Sequence, residues 1–157
     1  MGQEREIVEI APQDARLGEV VAVLLELRDH LDAGSLRSLY ADAYPLGYRV
    51  AGLWDGGACR AAAGYRFGVN FANGPYLYVE DLVTSGTRRS RGYGKELIDH
   101  LFERARAEGC DCVTLDSGVQ RFGAHRFYLR EGFVISSHHF YRAVRDGAEP
   151  GSTKGVR

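Results

Sequence analysis

Long apolar runs are missing from this chain. No stretch approaches the roughly 18 uninterrupted apolar residues of a membrane helix, and Met1 to Ile10 is acidic where a secretory leader would be basic and then apolar. The expectation is a cytoplasmic protein with no membrane partner. Cysteine is scarce: Cys59, Cys110 and Cys112 are an odd set, too few for a disulfide scaffold. Cys110 and Cys112 lie two apart without the second pair that a zinc ribbon requires, so reduced thiols and no metal are expected. An excess of one charge is absent too. The 20 Lys+Arg nearly cancel 21 Asp+Glu, leaving a net charge of −1, so no global field draws the protein to nucleic acid or anionic lipid, and any polyanion site must be local. Lysine itself is confined to Lys95 and Lys154, a skew that genome composition explains as readily as function does.

What remains is 157 residues with 45% apolar and 26% charged side chains, the composition of one soluble globular domain able to bury its own core. Neither a repeat nor a low-complexity block interrupts it. The one compositional shift is at the end, where Arg145 to Arg157 reads RDGAEPGSTKGVR. The expected division is therefore a domain over 1–144 and a disordered tail over 145–157.

Periodicity supplies the elements. Glu6 to Ile10 reads as a strand, and Pro12-Gln13-Asp14 as turn and cap before a helix whose Leu17, Val20, Val21, Leu24, Leu27 and Leu31 form one apolar face. A shorter helix over Ser35 to Ala43 stops before Pro45. From Tyr48 the period becomes two, Asp55-Gly56-Gly57 marks a hairpin, and strands follow through Ala61 to Phe67 and Tyr76 to Thr84. Leu97, Ile98, Leu101, Phe102 and Ala105 then give a helical face closed by Gly109. A short strand over Cys112 to Leu115, a helix over Arg121 to Arg130, and strands over Phe133 to Ser137 and Phe140 to Val144 complete the chain. The order β-α-α-β-β-β-α-β-α-β-β predicts an α/β fold, a mixed sheet flanked by helices. The unit from Tyr76 to Leu115 is expected to be a right-handed crossover.

The most informative stretch is Arg88-Arg89-Ser90-Arg91-Gly92-Tyr93-Gly94-Lys95, set between a predicted strand and an amphipathic helix. A helix N-terminus exposes unpaired N–H groups and the positive end of its dipole, and glycines admit a phosphate close to that backbone. A diphosphate fits such a nest. The spacing matches neither GxxxxGK[ST] nor GxGxxG, so an NTPase loop and a dinucleotide fingerprint are both unsupported.

Arg89-Ser90-Arg91-Gly92-Tyr93-Gly94 resembles the R/Q-x-x-G-x-G/A signature of the GNAT family of N-acetyltransferases, which binds the pyrophosphate of acetyl-CoA. A second block, Ala124 to Phe133 (AHRFYLREGF), is similar to the family's A-x-x-F-Y-x-x-x-G-F pattern at the expected distance. The wording AHRFYLREG with Ser137-His138 resembles the small-amine branch that includes aminoalkylphosphonate acetyltransferases. Tyr78-Val79-Glu80-Asp81 resembles the Y-x-E-D strand of polyamine-type enzymes. One departure is Arg121, where many members carry an asparagine that contacts the CoA arm.

The resemblance implies a single-domain, mostly antiparallel mixed sheet with acetyl-CoA as co-substrate. It also implies a small-molecule amine as acceptor, and family members are often homodimers. Acyl transfer to an amine needs the amine neutral, and a lysine-like amine with a pKa of about 10.4 is mostly cationic at pH 7. Glu80 and Asp81 are the nearest carboxylates, and strict alternation along a strand allows only one of them to face a cleft. The Y-x-E-D likeness favours Glu80 as base, with water as the other route; an ordinary strand-end carboxylate is the plain reading of either. Tyr128, by its A-x-x-F-Y context, is the implied general acid toward the departing thiolate. The backbone of Leu82 and Val83 is implied to orient the pantetheine arm. Arg88, Arg89, Arg91, Gly92, Tyr93, Gly94 and Lys95 are the implied cofactor-binding residues, with Arg88, Arg89 and Arg91 readable as diphosphate ligands, 3′-phosphate ligands or a solvated basic patch. His125, His138 and His139 form no chelating set, because neighbours on a strand point apart. Aromatics Tyr40, Tyr44, Trp54 and Tyr65 read as core or as an amine pocket wall.

Two other functions compete. RRSRGYG also suits an RNA contact through arginine and stacking, against which the net charge argues. A CoA-binding regulatory domain without catalysis keeps the same fold.

Overall fold

The computed structural model describes residues 4–86 and 91–151. The chain divides into two compact units, Met1–Leu115 and Asp116–Arg157.

The first unit carries a five-stranded sheet in the order β1-β2-β3-β4-β5. Its strands are β1 (Glu6–Ile10), β2 (Arg49–Asp55), β3 (Ala58–Asn70), β4 (Gly74–Thr84) and β5 (Cys112–Leu115). The first four pair antiparallel, and β5 joins β4 in parallel, as a crossover through α3 (Tyr93–Ala107) requires. The hairpin between β2 and β3 turns on Gly56 and Gly57, with φ of 64° and 80°. Two successive left-handed residues make the tight turn that matches strand twist.

Helices α1 (Leu17–Leu24) and α2 (Ala33–Ala43) cover one face of the sheet. Their Leu17, Val20, Val21, Leu24, Leu36 and Tyr40 form one core cluster with Ile10, Val50, Trp54 and Ala62. Each such aliphatic side chain contributes about 1.5–3 kcal/mol on burial. α2 starts at a capping box, with Asp32 accepting from the Ser35 N–H at 2.7 Å and Ser35 Oγ accepting from the Asp32 N–H at 3.0 Å. On the other face α3 buries Leu97, Ile98 and Leu101. Its Arg104 guanidinium stands over the Phe67 ring at 5.8 Å. Tyr40, Trp54 and Tyr65 are buried, so these aromatics belong to the core.

The apolar stripe of α1 runs past the helix. Leu27 N–H bonds Leu24 O and Arg28 N–H also bonds Leu24 O, so the chain tightens into turns from Leu25 onward. Leu31 still packs on the core cluster from a turn. This early stop brings Arg28 to β4.

The second unit, described by itself, holds α4 (Phe122–Arg130). Gly132, at φ 92°, follows the helix, and Phe133 N–H bonds Tyr128 O at 3.0 Å. The strands expected over Phe133 to Ser137 and Phe140 to Val144 are not formed, and 133–143 carries no regular structure. Val134, Ile135, Phe140 and Val144 are exposed. An alternating pattern makes a strand only where a neighbour completes its ladder, and no described strand pairs with this segment. Residues 152–157 of the expected tail lie outside the described residues.

Candidate active site

β4 is irregular where its two acids lie. In the register with β3, Tyr65 faces Val79 and Gly64 faces Asp81, so Glu80 is an extra residue with no partner. This is a β-bulge, which breaks the alternation and re-aims side chains. Burial follows the break: Leu77 and Val79 are buried before it, and Leu82, not Asp81, after it.

The bulge removes the strict alternation on which the expectation of a single cleft-facing acid rested. Asp81 Oδ1 accepts from Arg28 Nε at 2.6 Å, and its other oxygen accepts from the Tyr48 hydroxyl. Glu80 Oε1 lies 2.9 Å from Arg66 Nε, and the Arg66 guanidinium stands 5.2 Å from the centre of the Tyr48 ring. Asp81 thus meets Tyr48 directly, and Glu80 is joined to it only through Arg66. Arg28 also donates from Nη2 to the Glu80 carbonyl at 2.9 Å, clamping the bulge backbone from the loop after α1. Burial holds the Asp81 carboxyl above the ordinary aspartate value, with Arg28 opposing the rise. Arg28, Tyr48 and Arg66 were not legible as site residues, since no periodic or motif signal links three such distant positions.

Beyond the bulge the sheet opens. β5 ends at Leu115 opposite Val79, while β3 continues to pair through Val83 and Thr84. From Glu80 to Thr84 the β5-side edge of β4 therefore has no strand partner among the described residues. Leu82 faces Ala63 and Val83 faces Ala62 across β3. Their side chains enter opposite faces of the sheet, and Val83 packs on the α1–α2 core.

β4 leads toward the start of α3. Arg88 and Arg89 of the expected phosphate loop lie outside the described residues. Gly92, Tyr93, Gly94 and Lys95 form the N-cap and first turn. Gly92 adopts φ 80° and ψ 9°, and α3 has no side-chain cap. Lys95 pairs with Asp99 at 3.3 Å on an exposed surface. Tyr93 points inward, 3% exposed, and donates its hydroxyl to Asp55 Oδ2 at 2.7 Å. That hydrogen bond, with Arg5 nearby, holds the Asp55 carboxyl below its ordinary value. Asp55 and Tyr93 thus join the β2–β3 turn to α3, a link that the sequence did not disclose.

In the second unit Tyr128 lies on α4, buried, with its ring edge-on to Phe133 at 5.7 Å and tilted against Phe127 at 5.4 Å. His125 Nε2 lies 2.8 Å from Gly118 O. His139 Nδ1 stands 3.3 Å from Asp116.

Known proteins share this chain's sequence pattern and fold. A family model described as Acetyltransferase (GNAT) family matches residues 18–133. An uncharacterized N-acetyltransferase of Bacillus subtilis (strain 168), YhdJ, is 39% identical over 128 residues, 80% of this chain and 90% of that protein. The aminoalkylphosphonate N-acetyltransferase of Salmonella typhimurium is 35% identical over 66 residues, 42% of this chain and 43% of that one. Among solved structures, the aminoglycoside N-acetyltransferase AAC(6')-Iy in complex with CoA superimposes with a TM-score of 0.80 at 16% identity, covering 92% of this chain and 98% of that one. That last likeness is one of fold alone. With a family match over most of its length and a relative similar almost end to end, the chain belongs to the GNAT family of acetyltransferases.

Proposed function

We propose that this enzyme moves the acetyl group of acetyl-CoA to the primary amine of a small molecule by direct attack. The observation that carries the reading is the bulge at Glu80, followed by an edge of β4 that has no strand partner among the described residues. An extended pantetheine arm suits the backbone N–H and C=O groups of Leu82 and Val83, in the manner of an added strand. The diphosphate suits the α3 N-terminus, where Gly92 and Gly94 let it approach and Arg88, Arg89, Arg91 and Lys95 add positive charge.

The chemistry follows from the acceptor. Glu80, directly or through water, takes a proton from the ammonium group, and the neutral nitrogen attacks the thioester carbon. The C–S bond then breaks and an N–C amide bond replaces it. The leaving thiolate takes a proton from the Tyr128 phenol, and the proton that the attacking nitrogen sheds as the amide forms returns through water to the tyrosine. Glu80 suits the base role better than Asp81, because Asp81 spends both oxygens on Arg28 and Tyr48. No helix among the described residues is long and apolar enough to cross a membrane.

The test is a thiol-release assay with acetyl-CoA across amino acids, aminophosphonates, polyamines and aminoglycosides, paired with calorimetry of CoA binding. Turnover with at least one small amine and heat of association with CoA are expected. Binding without turnover on any amine leaves a CoA-binding domain and removes the transfer step.

A further inference from the structure

Arg5 lies just before β1, outside both sequence motifs, yet its side chain reaches the start of α3. Its Nε stands 3.3 Å from Asp55 Oδ2, and its Nη1 pairs with Glu96 Oε1 in the first turn of α3. Nη2 donates to the Arg91 carbonyl at 3.1 Å, and the guanidinium carbon lies 4.6 Å from the centre of the Tyr93 ring. One planar group thus meets two carboxylates, a backbone carbonyl and an aromatic face. Lysine, a point charge with no planar fork, has no equivalent set.

We propose that Arg5 is a positioning residue for the coenzyme, fixing the entry to α3 in the form that receives the diphosphate of CoA. The inference rests on the reading of that helix start as the diphosphate seat. Two physical needs meet there. The entry turns on Gly92 in the left-handed region, and Gly92 has no side chain to cap the helix, so the N-cap residue itself does not hold the turn in one shape. Arg5 holds it from outside by tying Arg91 O to the β2–β3 turn through Asp55. The second need is electrostatic. Glu96 lies in the first turn, where the helix dipole favours any anion, and there its charge opposes a phosphate in the same field. Arg5 offsets one of the two negative charges of Glu96 and Asp55, which leaves more of the dipole's field for the ligand. The depressed Asp55 carboxyl and the raised Arg5 guanidinium agree with a standing ion pair.

The test is calorimetry with CoA and with pantetheine, which lacks the diphosphate, on Arg5→Gln, Arg5→Lys and the double variant Arg5→Gln/Glu96→Gln. Arg5→Gln is expected to raise the Kd for CoA roughly tenfold at low salt. Pantetheine binding is expected to stay within twofold of wild type. The CoA defect should shrink as added salt screens the bared carboxylates. Arg5→Lys should recover part of the affinity, and removing the Glu96 charge in the double variant should recover part as well. CoA affinity unchanged in Arg5→Gln overturns the inference. Equal weakening for CoA and pantetheine also overturns it, because a general loss of structure moves both. Wild-type protein that gives no heat with CoA instead removes the coenzyme reading beneath it.

Discussion

Gly64 stands directly across the β3–β4 ladder from Asp81, and the space that a side chain would fill is taken by the Asp81–Tyr48 pair. A Cβ built on Gly64 would come within 2.7 Å of Asp81 Oδ2 and 2.5 Å of the Tyr48 hydroxyl. Neither atom is free to retreat, since Asp81 is tied to Arg28 and Tyr48 packs on the α1–α2 core. Glycine is the weakest choice for a strand interior on entropic grounds, so its presence here reflects the close approach. Gly64→Ala is expected to cost about 1–3 kcal/mol of stability through overpacking. Urea unfolding measures it, and an unchanged midpoint would show that the Asp81–Tyr48 pair moves aside easily.

Asp81 gives a signed prediction in pH. Its carboxyl is held above the ordinary value of 3.8, first by burial, with Arg28 pulling the other way. Between the unfolded and folded values the native state keeps the proton longer than the unfolded chain does. The contribution of Asp81 to stability therefore falls as pH rises through that window and levels off above the folded value. Asp81→Asn removes the titration, so the stability difference, wild type minus variant, should decline across the same window. Unfolding free energies taken at steps from pH 3.5 to 7 test this. A difference that grows with pH would mean that attraction to Arg28 outweighs burial.

Gly92 separates two reasons for a glycine. Its φ of 80° strains any other residue, whereas a Cβ there would meet no atom of the described residues within 4 Å. Asparagine tolerates the left-handed region best among residues with a side chain. Gly92→Asn is therefore expected to leave the melting temperature near wild type while weakening CoA binding, because its Cβ and amide enter the space proposed for the diphosphate. Gly92→Val is expected to lose both. Calorimetry and thermal unfolding on the two variants decide the matter, and full CoA affinity in Gly92→Asn would move the phosphate elsewhere.

Glu80→Gln tests the base. The amide keeps the size of the side chain and an oxygen for Arg66, so folding and CoA affinity should hold. Loss of the carboxylate is expected to lower kcat/KM by about 10²-fold near pH 7. Raising the pH, which deprotonates the amine in solution, should restore part of the activity. A variant as active as wild type at pH 7 would shift the proton to water alone.

The legible parts of this molecule are those encoded locally. The apolar face of α3, the double glycine after Asp55 and the β-branched run of β4 each state their structure within a dozen residues. The arginine- and glycine-bearing stretch before α3 and the Ala124 to Phe133 block state a family in the same way. The bulge at Glu80 did not show, because alternation is the default for a strand and the break depends on how β3 pairs with it. Arg5, Arg28 and Arg66 were missed for a related reason: each is one arginine among many, and its partner lies far along the chain. The alternating residues after Phe133 misled in the opposite sense, since a pattern suited to a strand carries no information about whether a partner strand is present.

The acid half of the reaction is tested by removing one oxygen. Tyr128 is buried on α4 with its ring packed against Phe127 and Phe133, so Tyr128→Phe keeps these contacts and changes only the hydroxyl. A phenol that protonates the leaving thiolate acts after both substrates have bound. The variant should therefore bind CoA as wild type does, with kcat lower by about 10²-fold, within the usual range for a lost general acid. The alkaline limb of the kcat profile, where the phenol would ionise, should vanish with it. If kcat falls together with CoA affinity and melting temperature, the ring is holding the second unit together and another group supplies the proton. If kcat stays within twofold, the thiolate leaves without protonation and Tyr128 is a packing residue.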